Sequence, residues 1–395
     1  MTSSPGIEPE RALVAFHFLA FGLIVGMFTA NIPYIQTRQS LDLTDVGHLI
    51  LSINAGNVLG IYLGRGRYLG ARTLFRIMTA LLIVGVSATG LASGRVQCLA
   101  AGVVLGTGSG MLSIFVNSSA ALLESRHGVL VLPKMHAEFS KGVLVGALGG
   151  LLAAFCRLPY VLGFLLLIVP IGFGARFAAA TPSVFAVSDA DRDAPSPPAE
   201  RRGHRQVLLV LGSVAFICII VEGAVMGWSG ILLKDGLHVP ERLLPFGVLA
   251  FTLCSLLVRR HGDRVIDACG GKLRTLVASL AVAAALSAVL DLVSNAWLGL
   301  AAVAVIGMGT ALVLPIVFSL AGSLVAHERG PLISNISLIG YVASIIGPSC
   351  VAFLATRYGI QASLSLLAFG LVAGLVVVGM GRAVLIGDHT GAPLA

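Results

Sequence analysis

The 395 residues are 57% hydrophobic and only 11% charged, and a mean hydropathy of +0.96 is far above what a domain wetted on all sides carries. The formal charge of +8 raises the question of a nucleic-acid partner, but the Lys and Arg sit in short connections between apolar runs, so no basic aromatic surface forms and none is expected. The six cysteines include no CxxC pair and no metal-ligand spacing, which leaves a disulfide framework, a metal or another cofactor without support.

Taken in chain order, the leader MTSSPGIEPER lacks the basic start and small-residue cleavage site of a signal peptide, so the run behind it is expected to remain in the mature chain. Apolar runs then cover 13–36, 46–64, 74–92, 96–123, 135–156 and 158–178. Backbone polar groups in hydrocarbon must pair internally, and runs of this length without strict alternation predict helices rather than barrel strands. The stretch 179–206, containing DADRDAPSPPAERRGHR, is too polar and proline-rich to fold alone and predicts a linker. Six further runs follow at 207–233, 243–260, 275–293, 296–325, 331–355 and 359–384. The expected fold is all-α integral membrane, twelve transmembrane helices in two pseudo-symmetric six-helix bundles, residues 1–178 and 207–395. Six of the 26 Lys and Arg (Arg38, Arg95, Arg157, Lys234, Arg242 and Arg357) fall on one side of this arrangement, and the other twenty fall with the termini. The positive-inside rule then places both termini and the linker in the cytoplasm.

The halves share a pattern. At an offset of 201, Gly22 pairs with Gly223, Gly26 with Gly227, Gly70 with Gly271, Gly106 with Gly307, Gly108 with Gly309 and Gly146 with Gly347. These matches fall in spans 1/7, 4/10 and 5/11 and in the 2/3 and 8/9 loops, as a parallel duplication of six helices requires.

Six plus six spans, a central linker and a basic loop after the second span of each half resemble the major facilitator superfamily over essentially the whole chain. That family's loop reads roughly Gly-x-x-x-Asp-Arg-x-Gly-Arg-Lys. The 8/9 loop matches it with Gly262, Asp263, Arg264, Asp267, Gly270, Gly271 and Lys272. The 2/3 loop, GRGRYLGAR with Arg65 and Arg72, has no aspartate. The resemblance implies a gating latch at the former and a weaker one at the latter. Three stretches, PKMHAEFSKGVLVGALGG, EGAVMGWSG and SLIGYVASIIGPSCVAFLATRYG, resemble a bacterial inner-membrane permease subgroup. That resemblance implies multi-pass residence in the inner membrane, alternating access, and a small polar solute such as a sugar or polyol. Proton-driven efflux of a drug or secondary metabolite would use the same parts, and a non-transporting receptor or scaffold is the alternative of another class. The expected partners are a small-molecule substrate, a proton and the lipid bilayer, with a functional monomer.

Ionisable side chains inside spans are costly unless paired or facing a cavity, so each is a functional candidate. Glu222 lies midway along span 7 with no Lys or Arg within two helical turns along the chain, beside Trp228 and the bend-permitting Gly223 and Gly227. His17, Phe21, Ile24, Phe28 and Asn31 share one face of span 1 by their spacing of four, three, four and three. Asn54 with Asn57, Ser113 with Asn117, and Ser334, Ser337, Tyr341 and Ser344 make polar faces on spans 2, 4 and 11. Such groups either bind a hydroxylated solute or hold helix to helix. Glu138 and Lys141 are placed to pair at i and i+3. The proton-coupling candidates are thus Glu222, His17 and Glu138, and the substrate-binding candidates are Asn31, Asn117, Trp228, Tyr341 and Asn57. The resemblance favours Asn31, Asn117 and Glu222, since spans 1, 4, 7 and 10 line the central cavity in that family. No GxxxxGK[ST], GxSxG or HExxH occurs, and no enzyme activity is expected.

Overall fold

The computed structural model describes residues 7–64, 71–127, 131–156, 158, 160–169, 171–172, 198–324 and 329–386. Among the described residues the regular structure is helical throughout. The first part carries α1 (Ile7–Arg38), α2 (Leu43–Gly64), α3 (Ala71–Leu91), α4 (Arg95–His127), α5 (Leu132–Phe155) and α6 (Tyr160–Leu166). The second carries α7 (Pro198–Ile231), α8 (Phe246–Arg260), α9 (Gly262–Ala268), α10 (Lys272–Ala288), α11 (Ala296–Thr310) and α12 (Val313–Leu324). It closes with α13 (Arg329–Tyr358), α14 (Ile360–Ser365), α15 (Leu367–Met380) and α16 (Arg382–Ile386).

Helix ends follow from local chemistry. α1 opens with Glu8 and Glu10 and closes with Arg38, charges that complement the helix dipole at each end. Asp42 caps α2, its Oδ1 accepting the Asp45 N–H at 2.7 Å, and Asn295 accepts from the N–H groups of Trp297 and Leu298 at the start of α11. The turn into α10 places Gly270 at φ 77° and Gly271 at φ 116°, left-handed backbone that explains two glycines in succession.

Among the described residues, eleven helices are long and apolar enough to cross a membrane. The sixth expected span, 158–178, is described only at 158, 160–169 and 171–172. The span expected over 296–325 is broken between α11 and α12, at Ala311 and Leu312. α7 begins at Pro198, within the stretch read from sequence as linker.

Internal contacts divide the chain into two compact units, Met1–Ala190 with Ser229–Thr252, and Asp191–Trp228 with Leu253–Ala395. In the first unit α1 packs on α5 and α2 on α4 through glycines that let backbones touch. A Cβ on Gly22 or Gly26 would strike the carbonyl of Phe139 or Val143, and one on Gly142 or Gly146 would strike that of Leu19 or Leu23. Gly56, Gly60, Gly106 and Gly110 play the same part between α2 and α4. In the second unit a Cβ on Gly347 would come within 2.9 Å of the Ile220 backbone, a looser approach, while Gly223 has only the Pro348 ring at 3.9 Å and Gly227 has open space among the described residues.

Candidate functional site

In the second unit, the carboxyl of Glu222 on α7 receives a partner that its chain neighbours do not supply. Arg259, near the end of α8, donates from Nη2 to Glu222 Oε1 at 3.0 Å. No Lys or Arg lies within two turns of Glu222 on its own helix; tertiary packing supplies one from the next span. The Glu222 and Arg259 side chains keep 18% and 26% of their surface accessible, so the pair is held among the helices without being sealed off.

A third party fixes the arginine. Pro315 has no N–H, so the carbonyl four residues earlier, that of Ala311, loses its helical donor and is pushed aside by the proline ring. The helical hydrogen-bond ladder is interrupted there, between α11 and α12, while Ala311 keeps helical backbone angles, and the break is this interruption. Arg259 Nε donates to that Ala311 oxygen at 3.0 Å. One turn earlier on α8, Ser255 Oγ donates to the Gly307 oxygen at 2.7 Å. Side chains four apart on α8 therefore meet carbonyls four apart across the break. Thr310 lies within hydrogen-bond reach of the Glu222 carboxyl from the same break, and the Cys218 thiol one turn before Glu222 points at the Thr310 carbonyl, 3.8 Å away. The arrangement is a carboxylate, a guanidinium and a backbone carbonyl without its helical donor in one line of hydrogen bonds.

Trp228 is fully buried, and its indole N–H donates to the Pro348 carbonyl of α13 at 3.2 Å. That contact ties α7 to α13.

In the first unit the stripe on α1 turns mostly inward. His17 is buried, its Nδ1 is 2.8 Å from the Leu13 carbonyl, and its ring meets the edges of Phe16, Phe75 and Phe115 at centroid distances of 5.6–5.9 Å. Asn31, at the far end of the stripe, donates to the Met27 carbonyl at 2.7 Å and lines a cavity of about 590 Å³ with Tyr34, Arg38, Ser93 and Glu241. Asn117 donates to the Ser113 carbonyl of its own helix at 2.8 Å. Asn57 is half-buried on α2, where its carbonyl faces Gly110. Glu138 pairs with Lys141 at 2.7 Å as their spacing requires.

The loop candidates Asp263, Arg264, Asp267 and Lys272 are exposed around α9 and the start of α10. Arg65 and the side chains of Arg72 and Tyr341 lie outside the described residues. Sequence reading missed Arg259, counted only as a topology-setting basic residue, and missed a cluster in the first unit. There Gln36 donates to Asp235 at 3.0 Å and accepts from Lys234 at 2.7 Å, at a π-helical turn over Leu232–Gly236. A proline four residues after Ala311 was the available signal for the former; the latter has none, because nothing in the chain relates position 36 to 234.

No protein-family model matches the chain. Membrane protein MosC of Rhizobium meliloti is 26% identical over 380 residues, covering 95% of this chain and 91% of that protein. A relative from Yersinia pestis, described as an uncharacterized MFS-type transporter, is 24% identical over 94% of both chains. Among solved structures, the nucleoside transporter NupG superposes with a TM-score of 0.66 at 13% identity, over 94% of this chain and 99% of that one. A bacterial homologue of the human lysosomal transporter Spinster, in an inward-facing and occupied conformation, gives 0.67 at 13% identity over 97% and 98%. By class, then, the chain is a multi-pass α-helical membrane transporter. Its fold is the one these major facilitator superfamily transporters share, and its relatives at 24–26% identity include an MFS-type transporter.

Proposed function

We propose that the chain is a proton-coupled secondary transporter that moves a small polar solute, sugar- or polyol-like, across the cytoplasmic membrane as a monomer. Access alternates by rocking of the six-helix bundles 1–178 and 207–395, and Asn31 and Asn117 contact the solute. The observation that carries this reading is the Glu222–Arg259 pair, a titratable carboxylate held by a fixed cation among helices of membrane-spanning length. A proton on Glu222 cancels its attraction for Arg259. The two protonation states therefore favour different helix arrangements, which is the requirement for coupling.

The test uses purified protein in proteoliposomes, with a solute chosen from a panel of monosaccharides and polyols by its stabilisation of the protein against heat. A one-unit pH gradient supports about tenfold accumulation per coupled proton. Glu222→Gln should lose that accumulation while retaining solute exchange at equal pH on both sides. Unchanged gradient-driven accumulation in the variant would overturn the reading. Accumulation driven only by the reversed gradient would identify efflux instead.

A further inference from the structure

Resting on that reading of Glu222, we infer that Arg259 is a positioning residue that transmits the protonation of Glu222 to the break in the tenth span at Ala311 and Pro315. Three observations carry it. First, one guanidinium serves both ends, with Nη2 on Glu222 and Nε on the Ala311 carbonyl, each at 3.0 Å. The fork is rigid and planar, so its two donors cannot reorient independently. Secondly, the Ala311 carbonyl needs an outside donor because Pro315 withholds the backbone N–H that would otherwise reach it. Thirdly, Ser255 holds the Gly307 carbonyl one turn before, so α8 grips both sides of the last turn of α11.

Among the described residues, the titratable and charged groups facing Glu222 are Arg259 from α8 and Cys218 one turn earlier on α7, while the α11 side offers Thr310. Of these, Arg259 is the charged one and donates to the Ala311 carbonyl, while the Cys218 thiol meets the neighbouring Thr310 carbonyl. When the Glu222 carboxylate takes a proton on Oε1, the charge holding Nη2 is cancelled. Nε keeps its hold on Ala311, and the guanidinium swings about that anchor. The break is the compliant part of the eleventh and twelfth helices, so it takes up the motion and α12 changes its angle to α11.

A lysine at 259 keeps the positive charge but offers a single ammonium, which cannot span both acceptors in this fork. An alanine at 315 restores the N–H that Ala311 lacks and makes the arginine's second bond redundant. The full-length protein, spin-labelled through cysteines introduced at the exposed positions Leu298 and Ser319 on a background without native cysteines, reports the α11–α12 angle as a label-to-label distance. The distance distribution should shift between acidic and alkaline pH in the otherwise unsubstituted protein. The shift should vanish in Arg259→Lys and in Pro315→Ala, with all variants unfolding cooperatively on heating. Arg259→Lys should lower the melting temperature in the Pro315 protein and lower it clearly less in Pro315→Ala, a non-additivity that a purely structural arginine would not show. If the shift persists in Arg259→Lys and Pro315→Ala but disappears in Glu222→Gln, this transmission route is wrong while the role of Glu222 stands. If it persists in Glu222→Gln, the reading of Glu222 itself fails.

Discussion

An arginine and a glutamate carried into helices of membrane-spanning length cost several kcal/mol unless each meets the other's charge. Arg259 satisfies two acceptors at once, so truncating it strands a carboxylate and a backbone carbonyl together. Arg259→Ala is expected to destabilise the detergent-solubilised protein by about 2 kcal/mol, below the cost for a fully buried pair because both side chains retain accessible surface. Adding Glu222→Gln to Arg259→Ala should recover part of that loss, since the second change removes the stranded charge. Denaturation midpoints of the two single variants and the double variant measure this, and strictly additive losses would show that the two side chains do not act on each other. At this scale the sequence revealed Glu222 well, because a lone carboxyl in an apolar run is visible without a structure. It could not reveal Arg259, whose position beside a basic loop motif reads equally as a topology signal. His17 shows the converse: its helical face was legible, but the ring of Phe16, Phe75 and Phe115 around it comes from three helices and appears only on folding.

Helices of one sequence repeat need not pack alike. At the offset of 201, Gly22 and Gly26 of α1 stand in register with Gly223 and Gly227 of α7, yet the two pairs meet different neighbours. On α1 they admit the α5 backbone, whereas on α7 Gly227 has no atom within 4 Å of an added Cβ. Gly22→Ala should therefore force α1 from α5 and cost about 2 kcal/mol or more, the penalty of an overpacked crossing. Gly227→Ala should be neutral or stabilise by roughly 0.5–1 kcal/mol, since alanine is the better helix former and meets no neighbour. Thermal unfolding of the two variants side by side decides the matter, and a larger loss at Gly227 would mean that its open face is filled in the working protein. The small-residue ridge of Gly142 and Gly146 is legible in the sequence, because spacing of four fixes a helix face. The break in the tenth span was not placed by the apolar run, which continues unbroken through Pro315, since hydropathy records side chains and is blind to a missing N–H.

At the scale of the whole molecule, helix number and charge distribution make one joint statement about topology. An even number of crossings returns the C-terminus to the side of the N-terminus, while an odd number separates them. Among the described residues eleven helices meet the length and composition of a span, and the sixth run, 158–178, would be the twelfth. The charges bear on the same question independently, because the division of twenty Lys and Arg against six arises only if that run crosses. Were it to lie outside the bilayer, every connection from 179 onward would change sides, and the basic 8/9 loop with Arg259, Arg260, Arg264, Lys272 and Arg274 would face outward against the positive-inside rule. A fluorescent reporter that matures only in the cytoplasm, and a phosphatase active only outside it, should accordingly give cytoplasmic signals when fused at the N-terminus, within 179–197 and after 386. A cytoplasmic N-terminus with an external signal from the 179–197 fusion would remove the sixth crossing, and with it the pairing of two six-helix bundles on which rocking about a central site depends.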